Sequence, residues 1–147
     1  MKFLIDNNLP PAIARALHEL CKADGHSVVA LKDKFTANMP DVDWIMDLSQ
    51  ESGWTVVSQD RFTKGDAEKL AFRESGLPIF CLAKQWGQMT YWQKAENLVR
   101  WWPAIIQQSE LIRGGAAFRV SWRFSALGFV RKVGAGRIAA MIGWRPA

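Results

Sequence analysis

Hydrophobic and polar positions follow two alternating spacings over the first 83 residues of the chain. Short apolar runs, typical of buried strands, occupy residues 2–5, 27–31, 54–58 and 78–83. Between these runs, apolar residues recur three or four positions apart, which predicts amphipathic helices; the first carries Ile13, Leu17, Leu20 and Cys21. The alternation predicts an α/β fold with an open, mostly parallel β-sheet of four to five strands flanked by helices.

Turn residues set the limits of the predicted helices. Gly25 ends the first helix, and we expect residues 32–40 to form a polar loop. Asp41 is well placed to cap a second helix, whose inner side carries Trp44, Ile45 and Leu48. After a loop over residues 61–65, a third helix of about eleven residues extends to Gly76.

The pattern changes beyond residue 90. A long helical repeat follows Thr90, and Pro103 is expected to kink or split it because proline lacks a backbone N–H. The repeat includes three of four closely spaced tryptophans, so core or interface roles are favoured for them over base stacking: Trp86, Trp92, Trp101 and Trp102.

The C-terminal part of the chain divides into a strand and a tail. Residues 118–124 alternate as in a strand, with Arg119 and Arg123 on its basic face. Residues 125–147 contain several glycines and basic residues and fit neither a helix nor a strand. We therefore predict one domain over residues 1–124 and a basic C-terminal tail over residues 125–147.

Charge is distributed unevenly along the 147 residues, whose formal net charge is +5. Residues 111–147 contain seven Lys or Arg and no acid, whereas residues 1–110 contain twelve Lys or Arg and all fourteen Asp and Glu. The C-terminal quarter is therefore a polycation. Such a segment attracts phosphate backbones through counterion release, docks on an acidic partner, or forms a solvated basic face.

Composition narrows the class of protein. Hydrophobic residues make up 49% and charged residues 22%, as in ordinary globular domains. The apolar runs are far shorter than the roughly 20 residues of a membrane helix, and Asp6 interrupts the first run too early for a secretory signal. These features predict a cytoplasmic protein that does not associate with membranes. Cys21 and Cys81 lie within apolar patterns and are expected to be buried free thiols.

Three aspartates lie where apolar runs and polar turns meet. Asp6 follows the first strand, Asp41 opens the second helix, and Asp60 follows the third strand. Residues past the carboxyl ends of parallel strands line the crevice that binds ligands, so we expect these carboxylates to converge. Converging carboxylates repel one another unless a cation joins them, and oxygen ligands suit Mg²⁺ or Mn²⁺. Alone, each aspartate is equally an ordinary turn or capping residue.

A metal site of this kind favours one type of reaction. Ions held by carboxylates keep water ligands and commonly bind substrate phosphates. They orient and deprotonate an attacking water and neutralise charge in the transition state of phosphodiester hydrolysis.

At these residues the chain resembles a known family, the PIN-domain ribonucleases, and within it the PIN-like branch similar to VapC-type toxins of bacterial toxin–antitoxin pairs. The resemblance rests on residues 3–10 (FLIDNNLP), 40–45 (PDVDWI), 56–60 (VVSQD) and 70–82, which contain RESGLP. It covers roughly residues 1–112. The order and spacing of these segments carry the resemblance more than any single one.

The resemblance implies a metal-dependent endoribonuclease that is the toxin of such a pair. Asp6, Asp41 and Asp60 would hold Mg²⁺ or Mn²⁺, and Ser58 would support the third acid. The partner would be a small antitoxin protein that inserts an Arg or Lys into the acidic pocket, and the chain would form a homodimer. Arg119 and Arg123 are candidate phosphate contacts for the RNA.

The chain departs from the family pattern at two positions. The second acid, commonly a glutamate, is Asp41, which is one methylene shorter, and a frequent fourth acid is replaced by Phe62. Asp66 or Glu68 is expected to substitute for this fourth acid; Asp66 is counted with the catalytic residues, and Asp43 and Glu68 are counted as auxiliary acids. The departures leave open a catalytically inactive PIN-like module that binds RNA or protein.

A phosphoacceptor receiver domain of two-component signalling is a further alternative, because it also places acids where Asp6 and Asp60 stand. That fold usually has a second acid beside the first, a hydroxyl after the fourth strand and a lysine after the fifth. Here Asn7 follows Asp6, and residues 80–83 contain no hydroxyl. Acetyl phosphate would label Asp60 in a receiver domain alone and so separates the two classes.

Overall fold

The three-dimensional structure is a computed structural model that describes residues 1–59, 66–112, 114–125 and 130–133. At positions 66, 68, 69, 72 and 130–133 it describes the backbone alone. Asp60, the predicted loop over residues 61–65 and most of the predicted tail lie outside the described residues.

The described chain forms one six-stranded sheet. Its parallel strands are β1 (Lys2–Ile5), β2 (Ser27–Ala30), β3 (Trp54–Ser58), β4 (Ile79–Leu82) and β5 (Ala117–Val120). The last strand, β6 (Val130–Val133), is antiparallel to β5, and the spatial order is β2-β1-β3-β4-β5-β6. The predicted open, mostly parallel sheet is confirmed. The sequence pattern indicated no strand at β6, because its apolar residues stand only at its two ends and do not alternate.

Helices cover both faces of the sheet. On one face lie α1 (Pro11–Cys21) and α5 (Tyr91–Leu111); on the other lie α2 (Leu31–Lys34), α3 (Asp41–Ser49) and α4 (Asp66–Ser75). Because both faces are covered, the central strand β3 is buried along its whole length and has no alternating polar face. None of the helices in the described ranges has the length and apolar character that crossing a bilayer requires.

The structure corrects several details of the predicted elements. The predicted polar loop over residues 32–40 begins with the last three residues of the short helix α2. Pro40, and not Asp41, stands at the N-cap of α3, and no side chain caps that end. Helix α5 continues through Pro103, which is exposed, so the missing N–H costs one hydrogen bond without splitting the helix. Strand β5 ends at Val120 rather than at residue 124.

A capping box fixes the start of α5. The Thr90 hydroxyl accepts a hydrogen bond from the Gln93 backbone N–H at 3.3 Å, and the Gln93 side-chain oxygen accepts one from the Thr90 backbone N–H at 2.9 Å. Two backbone donors that would lack partners at a helix start are thereby satisfied. The Gln93 side chain is consequently held at the start of the helix.

Burial agrees with most of the predicted core. Cys21 and Cys81 are free and buried, as expected. Leu20 was expected on the inner side of α1, but its side chain is 63% exposed, because three neighbours at helical spacing already fill that side: Ile13, Leu17 and Cys21. Of the four tryptophans, three are buried, which confirms a core role for Trp86, Trp101 and Trp102. Trp92 is instead 78% exposed.

We expect Trp102→Ala to lower the free energy of unfolding by about 3–5 kcal/mol. The Trp102 ring is buried and packs on Phe3 of β1, with the ring centroids 4.9 Å apart, so truncation opens a cavity between α5 and the sheet. Urea unfolding followed by far-UV circular dichroism measures the change. The matched control, Trp92→Ala on the same helix, should stay within about 0.5 kcal/mol of the parent, and equal losses would contradict this packing.

Candidate functional site

The strand order places the carboxyl ends of β1 and β3 side by side at the centre of the sheet. From β1 the chain adds β2 on one side and β3, β4 and β5 on the other. In open parallel sheets, ligands bind in the crevice at such a reversal of strand order. Asp6 directly follows β1, and its backbone N–H donates to the Val57 carbonyl at 3.1 Å. Asp6 and Ser58, the last residue of β3, therefore meet at this crevice.

The Asp6 carboxylate is the best defined acidic group of the site. Its residue is only 5% exposed. The Ser58 hydroxyl donates to Asp6 Oδ2 at 2.7 Å, and the Asn7 backbone N–H donates to Asp6 Oδ1 at 2.6 Å. The Leu9 N–H also donates to the Asp6 carbonyl at 3.1 Å, which closes the turn after β1. Hydrogen bonds to both carboxylate oxygens fix the orientation of the carboxylate.

Asp41 is held by its own helix. It is the first residue of α3, and its Oδ1 accepts a hydrogen bond from the buried Trp44 indole at 2.8 Å. This position also sets its negative charge at the positive end of the helix dipole. Asp43, in the same turn, is exposed to solvent. Asp41 is therefore oriented by an aromatic donor, whereas Asp43 is a surface acid.

The structure describes the side chains of only some of the predicted acids. Ser58 is predicted to support the third acid, Asp60, and that role stays a prediction; the contact that the structure shows is with the first acid, Asp6. Asp60 lies outside the described residues, and α4 contains Asp66 and Glu68 at positions whose side chains are not described. Within the described ranges, no group of three or more Asp, Glu, His or Cys side chains is close enough to hold an ion. The convergence of Asp6, Asp41 and Asp60 remains a prediction.

Gln59 is a polar residue of this region that the sequence reasoning missed. Its side-chain oxygen is buried and has no hydrogen-bond partner in the part of the chain that the structure describes. Its Nε2 lies against Gly87, where an added Cβ would approach it to 3.0 Å. A buried polar atom normally requires a partner. The available signal was its position between Ser58 and Asp60, directly after a buried strand.

The donor chemistry of the crevice fits a hard divalent cation. The groups at the ends of β1 and β3 are a carboxylate, a hydroxyl and an amide oxygen, from Asp6, Ser58 and Gln59. Mg²⁺ and Mn²⁺ bind oxygen ligands of these types. The Gln59 oxygen, which has no partner among the described residues, belongs to the residue that follows Ser58 at the end of β3. The described groups are therefore compatible with the ion that the sequence predicts.

The two arginines predicted to contact RNA are both exposed. Arg119 lies within β5, in register with Cys81 of β4 and Arg131 of β6. Arg123 follows the strand, and its guanidinium lies over the Trp122 ring, 4.5 Å from the centroid. Both positions leave a positive charge open to solvent.

Comparison with known proteins identifies a family. A family model described as a PIN like domain matches residues 1–84, which is more than half of the chain. The matched part includes β1 to β4 and thus both Asp6 and Ser58. Comparisons with curated proteins and with solved structures gave no match.

We expect Ser58→Ala to lower the free energy of unfolding by about 1.5–3 kcal/mol in metal-free buffer at neutral pH. The substitution removes a donor from the buried Asp6 carboxylate. In an Asp6→Asn background the loss should be smaller, and a double-mutant cycle from urea unfolding should give a coupling energy of about 0.5–3 kcal/mol.

Ser109→Ala provides the matched control for this cycle. Ser109 is also a buried serine, but its hydroxyl donates to the Ile105 carbonyl within α5 at 2.7 Å. Its effect should add to that of Asp6→Asn within about 0.5 kcal/mol. Additive behaviour of Ser58→Ala as well would show that the hydroxyl does not act through the carboxylate.

Proposed function

We propose that the chain, which belongs to the PIN-like domain family, is a Mg²⁺- or Mn²⁺-dependent endoribonuclease. The family match supports a nuclease-type fold. The finer proposal is that the chain is the VapC-like toxin of a toxin–antitoxin pair and acts on RNA in the cytoplasm.

One observation carries this proposal, which is the buried Asp6 carboxylate at the reversal of strand order. Burying a charged carboxylate is costly, and a chain without a use for it would gain stability from an apolar residue there. Here its two oxygens accept hydrogen bonds from Asn7 and Ser58, in the crevice where parallel sheets bind ligands. Such an acid is fixed in place before any ligand arrives.

The residue roles follow from these positions. Asp6, Asp41 and Asp60 would hold the ion, and Asp66 would complete the acidic set with Asp43 and Glu68 as auxiliary acids. When bound, the ion supplies charge neutralisation at the scissile phosphate and acidifies a water ligand. The hydroxyl of Ser58 and the indole of Trp44 position Asp6 and Asp41.

The strand ends weigh against the receiver-domain alternative, although a receiver shares this order of parallel strands. Strand β4 is followed by Ala83, which is buried and has no hydroxyl. Strand β5 ends at Val120 and is followed by Ser121 where a receiver would have lysine. The chain therefore lacks the groups that would bind the phosphoryl oxygens.

The proposed partners are RNA and a cognate antitoxin. RNA is supported by the polycationic C-terminal quarter, which has seven basic residues and no acid, and by exposed Arg119 and Arg123. An antitoxin that inserts an Arg or Lys beside Asp6 would neutralise the acidic crevice by direct charge pairing. A homodimer belongs to the same proposal through the family.

We expect Asp6→Asn and Asp60→Asn each to abolish Mn²⁺-dependent cleavage of single-stranded RNA without lowering the melting temperature of the metal-free protein. The amide of Asn at position 6 can still accept from the Asn7 N–H and contact Ser58, while carboxylate repulsion is relieved. Gel assays of cleavage, thermal unfolding and calorimetric titration with Mn²⁺ measure the three effects.

Asp47→Asn is the control, because Asp47 is an exposed acid on α3 that has no proposed role. It should keep cleavage and Mn²⁺ binding. Full activity in either of the first two variants would end the assignment.

Parent protein that binds RNA but cleaves none with Mg²⁺ or Mn²⁺ would instead establish the inactive RNA-binding alternative. Anomalous density near Asp6 and Asp60 in Mn²⁺-soaked crystals would locate the ion directly.

We expect the basic tail to contribute salt-dependent affinity for RNA. Deleting residues 125–147 should weaken binding, but this deletion also removes β6 from the sheet. Arg137→Gln/Arg145→Gln keeps that strand and should reduce the slope of log affinity against log salt by about 1.4 if both arginines contact phosphates of a single strand. Fluorescence anisotropy between low and high salt measures the slope.

Lys22→Gln/Lys32→Gln is the charge-matched control for the tail. Both lysines are exposed and belong to other segments of the chain, Lys22 directly after α1 and Lys32 within α2. The pair should leave the salt slope nearly unchanged. Affinity that is constant across salt concentrations, or that is unaffected by deletion of residues 125–147, would refute phosphate binding by the tail.

A further inference from the structure

A cavity of about 460 Å³ opens beside the carboxyl ends of β4 and β5. In the described part of the chain, three segments supply its walls: the 3₁₀ turn Lys84–Gln88 that follows β4, the first half of α5, and Trp122 after β5. Its volume falls in the range of small-molecule sites, which is about 300–1,000 Å³. Neither Asp6 nor Asp41, the two described acids proposed to hold the ion, lines this cavity.

The cavity lies at the same edge of the sheet as the buried carboxylate. Strands β1, β3, β4 and β5 are parallel, so their carboxyl ends point the same way. Gln59, directly after Ser58, has its amide against Gly87 of the 3₁₀ turn that walls the cavity. The Ser58 hydroxyl in turn contacts Asp6. Contacts through Gln59 and Ser58 therefore connect the 3₁₀ turn that walls the cavity to Asp6 in the acidic crevice.

Several of the described residues that line the cavity have amide side chains. Gln93 and Asn97 are already engaged: Gln93 caps α5, and Asn97 Nδ2 donates to the Trp122 carbonyl at 2.7 Å. Gln85 and Gln88 line the cavity with exposed side chains. An amide offers a donor and an acceptor side by side, which matches the edge of a nucleobase.

Trp122 adds an aromatic surface that is held in place. It is 39% exposed and lines the cavity. The hydrogen bond from Asn97 fixes its backbone, and the Arg123 guanidinium covers part of its ring at 4.5 Å. A tryptophan that is positioned before binding loses little conformational freedom when a base stacks on it.

The charge around the cavity suits a polyanion. Arg100 lines it, Arg123 lies on Trp122, and exposed Lys84 begins the 3₁₀ turn. Among the described residues that line it, Glu96 is the one acid. Positive charge next to a stacking aromatic is the combination that proteins use to bind single-stranded nucleic acids.

We infer that this cavity binds one unpaired base of a single-stranded RNA. Trp122 stacks on the base, Gln85 and Gln88 contact its edge, and Arg100 contacts a neighbouring phosphate. The inference rests on the proposed ribonuclease function and extends it, because a base held here sets which phosphodiester of the strand reaches the acidic crevice. A duplex would not bind in this way, since its bases are stacked and paired.

The test measures binding of a 5′-fluorescein-labelled octa-adenylate by fluorescence anisotropy in EDTA, where no cleavage occurs. Trp122→Ala should weaken binding about tenfold, as loss of one stacked base predicts. Trp122→Phe should stay within about threefold of the parent because it keeps a stacking ring. Far-UV circular dichroism checks that both variants fold.

Two controls separate base stacking from general attraction. Trp92→Ala removes the more exposed tryptophan, which does not line the cavity, and should leave binding within about twofold. An octamer of abasic ribose phosphates has the same backbone without bases, and its affinity should not change in Trp122→Ala. An equal loss with the abasic octamer, or an equal loss in Trp92→Ala, would overturn the inference.

Failure of the inference is distinguishable from failure of the proposed function. RNA cleavage by the parent together with unchanged octamer binding in Trp122→Ala would overturn the base site alone, leaving the cavity as a surface for a protein partner. Octamer binding that depends on Trp122 in a chain that cleaves no RNA would support the base site and refute the nuclease. Asp47→Asn should bind the octamer like the parent, because Asp47 is an exposed acid on α3 that does not line the cavity.

Discussion

The site depends on keeping one negative charge in place at the centre of the sheet. Asp6 is almost fully buried, and a buried carboxylate destabilises a fold unless hydrogen bonds compensate it. Donors from Asn7 and Ser58 supply that compensation. Because Ser58 belongs to β3, its share of the compensation exists only when β1 and β3 are paired in the observed register. The geometry of the acid and the pairing of the central strands are thus one constraint.

Much of the fold was predictable, because strands buried on both faces leave a strong sequence signal. The apolar runs of β1 and β3 and the regular spacing of Ile13 and Leu17 carry information about burial at every position. The prediction was wrong where the burial of a residue does not follow the local pattern of apolar and polar positions. Strand β6 has no alternation, and Leu20 follows helical spacing on a helix whose inner face is already filled. Contacts with residues distant in sequence determine the structure at these positions, and the neighbouring sequence does not indicate those contacts.

The candidate site was predictable in part for a related reason. Asp6 stands out because an acid directly after a buried strand needs a compensating partner, and Ser58 was recognisable through the family pattern. The contact between them could not be derived from spacing, since it joins residues 52 positions apart. Gln59 was missed because a neutral amide after a strand is common in turns. The indole partner of Asp41 was likewise invisible, because tryptophan at that spacing indicates a core residue first.

The separation of Asp6 and Ser58 along the chain also determines when the site can form during translation. During translation the two residues are added several seconds apart, given elongation at about 5–20 residues per second. A nascent chain that ends before β3 contains the βαβ unit of β1, α1 and β2 but lacks the serine that orients the acid. The assembled centre therefore cannot exist on a short nascent chain. The ribonuclease activity proposed for the chain would accordingly be absent until β3 has been made.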